Sequence, residues 1–463
     1  MEKLNGIDIS TDKEDLLCYS FDASISDRTL PYAVAWPKNT EEVVRLIKFA
    51  LDKDLFIIPR GAGTSVTGAA IPLMKNSLVI SLERMKKLLD IDTKNMTVTV
   101  QPGIINGKLQ KELESLGYFY PPDPASMNIC TIGGNVATNA GGPRAIKYGV
   151  TRDYVMAIEA VLPDGSIINA GGKTYKRVVG YDLKNLFVGS EGTLAIFTKV
   201  TLKMLPLPED VITLLVSFSN LEASAIAVSK IISSKIIPRT IEFMDRLSIE
   251  AIENYKSFGL PTDIEALLII ELDGYPTTIK REAEKVVSIC EGLGGDVAVA
   301  EDHIAKDKIW EARRSLSPAL FHISPNKISE DIVVPRDKIP HLLKELKKLS
   351  ENSGIKIICF GHAGDGNIHT NIMIDNTNKE ELSVGMGLIK RIFDVTLNLG
   401  GSISGEHGIG ITKAPYISME LKEKELQIMK DIKKLFDKKT ILNPNKIFIN
   451  QITPEQTHQD QSP

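Results

Sequence analysis

The order of apolar and polar positions predicts a chain that alternates short helices and strands before turning to a second, differently patterned region. Asn39-Thr40-Glu41-Glu42 has the chemistry of a helix start, with Asn39 or Thr40 as N-cap and acids in the first turn. Val43, Val44, Ile47, Ala50 and Leu51 follow as the apolar stripe. Leu55–Ile58 reads as a short strand ending at Pro59, and further strands are expected at Leu78–Ser81, Thr97–Gln101, Ala157–Leu162 and Ala195–Leu205. A helix is expected over Ile105–Leu116, with Gly117 as its C-cap.

LPLPED at 205–210 marks a boundary. An α+β region then runs from Val211 to about Asp375, with IIPRTIEFMD and ALLIIELDG as strands and IPHLLKELKKLSENSG as a surface helix. In CFGHAGDGNIHTNIMID (359–375) a strand ending in IICF, a turn at Gly361–Gly366 and a strand IHTNIMI form a hairpin. Helices return after 380 and end in LFDKKTILNPNKIF, while the polar QITPEQTHQDQSP is expected to be disordered. No internal repeat is visible.

The length of 463 residues exceeds one ordinary domain. Hydrophobic content of 43% with 25% charged residues fits a soluble globular protein, and a net charge of −4 gives no electrostatic case for nucleic acid. No apolar run is long enough for a membrane span. The polar, acidic MEKLNGIDISTDKEDLLCYSFD lacks the basic and apolar regions of a secretory signal. Cys18, Cys130, Cys290 and Cys359 form no CxxC pair, which excludes a zinc ribbon or an iron–sulfur cluster and fits free thiols in the cytoplasm.

Glycines concentrate in three segments. PRGAGTSVTGAAIP (59–72) is not a Rossmann loop, because Val66 stands where a glycine is needed and SLVIS follows as a strand. It is not a Walker loop either, since Ala69 follows Gly68. Gly61, Gly63, Thr64, Ser65 and Gly68 expose backbone N–H groups suited to a pyrophosphate, with charge from Arg60. For this loop alone a tight surface turn is an equal reading. PPDPASMNICTIGGNVATNAGGPRAIKYGVTRDYV (121–155) mixes glycines with Asn135, Thr138 and Asn139, so that backbone can lie close against a flat ligand. VGSEGTLAIFTKVTL (188–202) ends in a strand. Three such loops suit a large extended cofactor better than a mononucleotide.

The seven histidines begin only at His303. His362 and His369 flank a glycine-rich turn, His369 and Asn371 share a strand face, and SGEHGIG presents Glu406 and His407 on a second turn. Two imidazoles and a carboxylate are a common open set for a catalytic divalent metal, and the spacing fits no structural zinc finger. Ordinary polar loop residues are the alternative for an isolated pair of histidines. Asp365 reads as an Asx-type turn residue.

PRGAGTSVTGAA, PDPAS…CTIGGNVATNAGGPRAIKYGVTRDYV and GSEGTLAIFT resemble the flavin domain of the vanillyl-alcohol-oxidase superfamily. GHAGDGNIH, SGEHGIG and LFDKKTILNPNKIF are similar to its glycolate oxidase subunit and D-lactate dehydrogenase branch, over roughly residues 15 to 450. The resemblance implies an α+β fold: a two-subdomain FAD-binding domain (1–206), an α+β substrate or cap domain with a metal site (207–430) and a C-terminal segment returning to the flavin (431–450), before the tail (451–463). It implies FAD, with Arg60, Gly61, Ala62, Gly63, Thr64 and Ser65 at the pyrophosphate. Gly68, Pro124, Ser126, Gly133, Gly134, Thr138, Gly141, Gly149 and Asn443 are implied around the cofactor, with Glu191, Gly192 and Ile196 near the adenine. Covalent members often place a histidine where this chain has Thr64; with no histidine before His303, and CTIGG around Cys130 resembling non-covalent relatives, dissociable FAD is expected.

The resemblance also implies His362, His369 and Glu406 as metal ligands, for zinc first and iron or manganese as alternatives. Oxidation of a 2-hydroxy acid needs a base for the hydroxyl proton, and His407 is the candidate because imidazole titrates near neutrality. Arg313 in WEARRSLSPAL matches the family's carboxylate-binding arginine, Ser317 and Asn371 complete the catalytic set, and Arg314 reads as an exposed helix residue. Lys327 aligns only with a shift to the lysine of relatives acting on diacids, which favours D-lactate or glycolate as the substrate of an FAD-dependent dehydrogenase. D-2-hydroxyglutarate dehydrogenase, an alkylglycerone-phosphate synthase-like transferase and a non-catalytic flavin-binding accessory subunit are the competing readings. Electrons are expected to leave to an electron-transferring flavoprotein, an iron–sulfur partner subunit, a quinone or oxygen.

Overall fold

The computed structural model describes residues 2–4, 6–24, 26 and 28–449, so the polar tail at 451–463 lies outside the described residues. Contacts group the chain into two units. The first comprises 1–140, 150–206 and 406–463, and the second 141–149 and 207–405. LPLPED thus contains the change of unit, and residues 406–430 group with the first unit.

The first unit holds two five-stranded sheets. In one, β1 (Glu2–Leu4), β2 (Ile7–Ser10), β3 (Ala33–Trp36), β4 (Phe56–Arg60) and β5 (Ser77–Ser81) run in the order β1-β2-β3-β5-β4. β5 pairs in parallel with both β3 and β4. Pro59 lies inside β4, which ends the sheet order and so tolerates a residue without an N–H. In the other, β6 (Leu88–Asp92), β7 (Thr97–Val100), β9 (Val155–Val161), β10 (Ile167–Gly171) and β11 (Ile196–Lys203) run in the order β10-β9-β11-β7-β6, and β8 (Tyr118–Phe119) pairs with β12 (Leu205–Pro206).

The helix Thr40–Asp52 starts as its sequence predicts: the Asn39 side chain accepts the Glu42 N–H at 2.9 Å. Its deepest residues are Val43, Leu46, Ile47 and Ala50, so Leu46 takes the place expected of Val44 and Leu51, which lie at the margin. That face packs with Ala33, Ile57, Leu78, Ile80, Ile196 and, from the far end of the chain, Leu442. The helix Asn106–Glu114 is shorter than expected; the chain turns through Ser115 before Gly117 adopts φ +78°.

The second unit is built on one antiparallel sheet. β13 (Asp210–Phe218), β14 (Thr240–Asp245), β15 (Ala266–Gly274), β16 (Gly295–Val299), β17 (Asn326–Val333), β18 (Ile357–His362) and β19 (Asn367–Ile374) lie in the order β16-β13-β15-β14-β18-β19-β17. Cross-strand partners share a face, as do residues two apart on a strand. Met244 opposes Phe360, Phe360 opposes His369, and His369 opposes Asp331. One face therefore carries Met244, Ile358, Phe360 and Met373, which pack into the core under the helix Arg246–Tyr255. The same face carries Glu242, His362, His369, Asn371, Ser329, Lys327 and Asp331. Core and polar site are two zones of one surface.

Candidate active site

The hairpin predicted around the late histidines is present. β18 extends through His362, the turn spans Ala363–Gly366, and β19 begins at Asn367. The turn is backbone-limited: Gly366 has φ +95°, and a Cβ there would meet the Val334 carbonyl at 2.1 Å. Asp365 acts as the expected turn residue, accepting the Asn367 N–H at 3.1 Å. The turn leaves the His362 and His369 rings 5.1 Å apart and nearly perpendicular. Asp331, fully buried on β17, accepts the Gly405 N–H at 2.9 Å and the Ser404 hydroxyl at 3.3 Å, which fixes the chain immediately before Glu406.

His362, His369 and Glu406 each offer a ligand atom, and these atoms lie within 4.8 Å of one another. Two ring nitrogens and a carboxylate oxygen at that separation fit one divalent cation with coordination positions left open. Neither the spacing nor the donor types select zinc over iron or manganese.

Arg313 ends the helix His303–Arg314 and is buried, whereas Arg314 is exposed. Its Nε and Nη2 donate to one oxygen of Glu242 at 2.7 and 2.6 Å. The other Glu242 oxygen faces His362 Nδ1 at 2.5 Å. Burial alone pushes the Glu242 carboxyl up, but His362 and Arg313 outweigh it and hold the group below its ordinary range. Sequence reasoning missed Glu242, because in RTIEFMD it is simply one polar residue on a strand. Only the pairing of β14 with β18 sets it beside His362.

Asn371 is buried, accepts the Ser329 hydroxyl at 2.8 Å and donates to the Ile358 carbonyl at 3.4 Å. Ser317 is exposed and accepts the Lys327 ammonium at 2.8 Å. Desolvation lowers the Lys327 pKa to about 8. The shifted alignment that set Lys327 aside at the sequence level does not keep it away from Ser317.

In the first unit the glycine-rich segments converge through backbone contacts. A Cβ on Gly61 would meet the Thr131 hydroxyl at 2.4 Å, so the loop after β4 lies on the start of the helix Ile132–Thr138. Gly133 donates to the Pro102 carbonyl at 2.7 Å, and the Thr138 hydroxyl to Gly134 at 3.2 Å. Gly189 and Glu191 donate to Val136 and Ala137 at 2.9 and 2.7 Å. The three loops are thus joined by close main-chain contacts between small residues. Cys130 is buried and its thiol is pushed up by desolvation, which disfavours the thiolate a covalent flavin bond would need.

Several residues assigned to the flavin brace these loops. Arg60 is buried, donates to Ala70 O at 3.1 Å, and lies against Gly63, where a Cβ would clash with the guanidinium. Ser65 accepts the Thr67 and Ala69 N–H groups at 3.2 and 3.4 Å. Pro124 and Ser126 accept backbone N–H groups of Met127 and Cys130. Gly68 and Gly192 take φ of +74° and +68°, and Ile196 is a core residue. Asn443 is buried and donates to Ala69 O at 3.0 Å and Glu191 O at 2.7 Å. Gly141 and Gly149 bound the segment grouped with the second unit. There Lys147 and Tyr148 reach Asp273 at 2.5 and 2.7 Å.

The Glu191 side chain does something the resemblance did not suggest. Its carboxylate accepts the Ile409 and Gly410 N–H groups, both at 2.8 Å, and so holds the loop that carries His407. The Thr67 hydroxyl donates to the His407 carbonyl at 3.4 Å on the same loop. Burial raises the Glu191 pKa despite those two N–H groups and the nearby Lys446 and Lys413.

Comparison with known proteins finds two family matches along the chain, the second of which runs on into residues 406–447 of the first unit. The FAD binding domain family matches residues 31–171, and the family described as FAD linked oxidases, C-terminal domain, matches residues 207–447. The glycolate oxidase subunit GlcD of Bacillus subtilis (strain 168) is 45% identical over 93% of this chain and 92% of its own length. A D-lactate dehydrogenase of Anaerostipes hadrus is 36% identical over 92% of this chain and 91% of its own. Among solved structures, p-cresol methylhydroxylase with substrate bound has a TM-score of 0.80 at 16% identity, covering 95% of this chain and 94% of that one, which shows a shared fold. With the flavin-domain match, the C-terminal match over more than half of the chain and relatives aligned almost end to end, the chain belongs to the FAD-linked oxidases.

Proposed function

We propose that this flavoenzyme oxidises a small D-2-hydroxy monocarboxylic acid, D-lactate or glycolate, to the 2-oxo acid. Relatives named glycolate oxidase subunit and D-lactate dehydrogenase support the substrate class. The observation that carries the metal-assisted form is the gathering of His362, His369 and Glu406 donor atoms within 4.8 Å. Bound FAD supplies the hydride acceptor, and a divalent cation, zinc before iron or manganese, supplies a Lewis acid for the hydroxyl and carboxylate oxygens.

The chain's own residues do the rest. Arg313 receives the substrate carboxylate through the guanidinium N–H groups that Glu242 does not use. His407 takes the hydroxyl proton, and Glu191 holds its loop in place through Ile409 and Gly410. Asn371 and Ser317 complete the polar wall. Arg60, Gly61, Ala62, Gly63, Thr64, Ser65 and the neighbouring glycine segments hold FAD without a covalent bond. The word subunit in the names of relatives supports a partner that accepts the electrons, an electron-transferring flavoprotein or an iron–sulfur subunit. Among the described residues no helix is long and apolar enough to cross a membrane; a cytoplasmic location is part of the proposal.

A second reading has a specific observation behind it. Lys327 donates to Ser317 at 2.8 Å and offers a cation for a second carboxylate, as D-2-hydroxyglutarate would need. Anaerobic mixing of the flavoprotein with D-lactate, glycolate, L-lactate and D-2-hydroxyglutarate separates the cases by the rate of flavin bleaching. The monocarboxylate reading expects D-lactate or glycolate to bleach fastest. Fastest bleaching by D-2-hydroxyglutarate replaces it with the second reading, and no bleaching by any of the four overturns both.

A further inference from the structure

We infer that Glu242 is a positioning residue that sets the metal ligand His362 and the carboxylate-binding Arg313 together, so that metal grip and substrate grip depend on one buried side chain. The inference rests on the function proposed above and names a component that function does not require.

Glu242 lies on β14, one position before Phe243, which opposes Gly361 on β18. Its side chain is fully buried. A carboxylate without water is costly unless both oxygens are paired. Here they are paired with different partners: one with His362 Nδ1 at 2.5 Å, the other with Arg313 Nε and Nη2 at 2.7 and 2.6 Å. An ionised carboxylate only accepts, so His362 carries its proton on Nδ1, which is the tautomer whose Nε2 can ligate a cation. Arg313 is fixed in the same way, along its Nε edge, with its Cζ over the Phe360 ring, 4.9 Å from the centroid. The N–H groups at its far edge stay available for a substrate carboxylate.

The pairing predicts what an amide does. In Glu242→Gln only one of the two terminal atoms accepts. If the oxygen faces His362, an NH2 group confronts the guanidinium and Arg313 is displaced. If the oxygen faces Arg313, the NH2 group forces the wrong tautomer on His362. Either orientation breaks one grip, whereas a purely structural role needs only a polar group of the same size.

The test uses the FAD-loaded enzyme. Zinc affinity is measured by competition with a chromophoric chelator, and KM and kcat with D-lactate, for wild type and Glu242→Gln. The expected result is a zinc affinity lower by about 10- to 100-fold, or a KM raised by a similar factor, with flavin content unchanged. Wild-type zinc affinity together with wild-type KM in the variant overturns the inference. Should the variant fail to fold, 15N-histidine spectra of the metal-free wild-type flavoprotein give the same answer, with His362 assigned from His362→Gln. Nδ1–H is expected, and Nε2–H overturns the role of Glu242. The proposed function fails separately, through a wild type that binds no divalent metal or is not reduced by any hydroxy acid.

Discussion

The two units differ in where many of their buried charges turn. In the first, several buried polar side chains turn toward the backbone, and the buried Lys433 does so while also pairing with Asp437 at 2.5 Å. Lys446 donates to the Gly68 and Ile71 carbonyls at 2.6 and 2.9 Å, and Lys433 to those of Thr193 and Leu442, both at 2.7 Å. Arg60 and Asn443 act likewise on Ala70, Ala69 and Glu191. In the second, charged side chains face one another: Glu242 with His362 and Arg313, and Lys147 and Arg239 with Asp273. The first unit thus braces its glycine-rich loops through main-chain contacts, whereas the second pairs charged side chains on a sheet face; in the proposed function the former hold the flavin and the latter carry the chemistry. Damage to the first unit is expected to loosen the flavin, and damage to the second to stop the reaction with the flavin in place.

The sharpest break is expected at the metal ligands. His369→Ala or Glu406→Ala keeps the flavin absorbance of the purified protein and lowers kcat by on the order of a thousandfold or more, as loss of a Lewis acid requires. Steady-state turnover with an artificial electron acceptor reads it. The mirror experiment is Lys446→Met, which leaves the Gly68 and Ile71 carbonyls without their buried donor. It is expected to cost about 1–3 kcal/mol of stability and to weaken FAD retention, with zinc affinity unchanged. A thermal melt and flavin release on dilution report it.

A smaller effect concerns pH. Desolvation lowers the Lys327 pKa to about 8, so its ammonium is charged below that pH and neutral above it. The KM for D-2-hydroxyglutarate is then expected to rise through pH 8, while that for D-lactate, which has no second carboxylate, does not follow. Lys327→Met raises the diacid KM about tenfold at pH 7, the size of one modest charge contact, and flattens the profile. Smallest is Asn39→Ala, which removes a helix cap and costs about 1 kcal/mol without touching flavin or metal.

What the sequence disclosed follows the same division. Local signals were legible: the Asn39 cap, the boundary at LPLPED, and the hairpin turn whose glycines are fixed by close backbone approach. Glycine-bounded turns drew attention to His362, His369 and Glu406, and the family resemblance named these three as ligands. Long-range pairing was not legible. Nothing in RTIEFMD says that β14 will lie beside β18, so Glu242 and its pairing with Arg313 stayed hidden. Asp331, which fixes Gly405, and Lys327, which reaches Ser317, were obscured for the same reason. Glu191 was legible as part of a flavin motif, but its hold on Ile409 and Gly410 spans more than two hundred residues and has no local signature.

The central claim is that flavin and metal are held by separable means, and one measurement addresses it directly. The FAD-loaded protein is treated with a strong chelator, desalted, and mixed anaerobically with D-lactate in a stopped-flow spectrometer, with and without added zinc. The account predicts an unchanged oxidised flavin spectrum, no bleaching after chelation, and bleaching restored by zinc. Undiminished bleaching by the chelated, metal-free protein would contradict it.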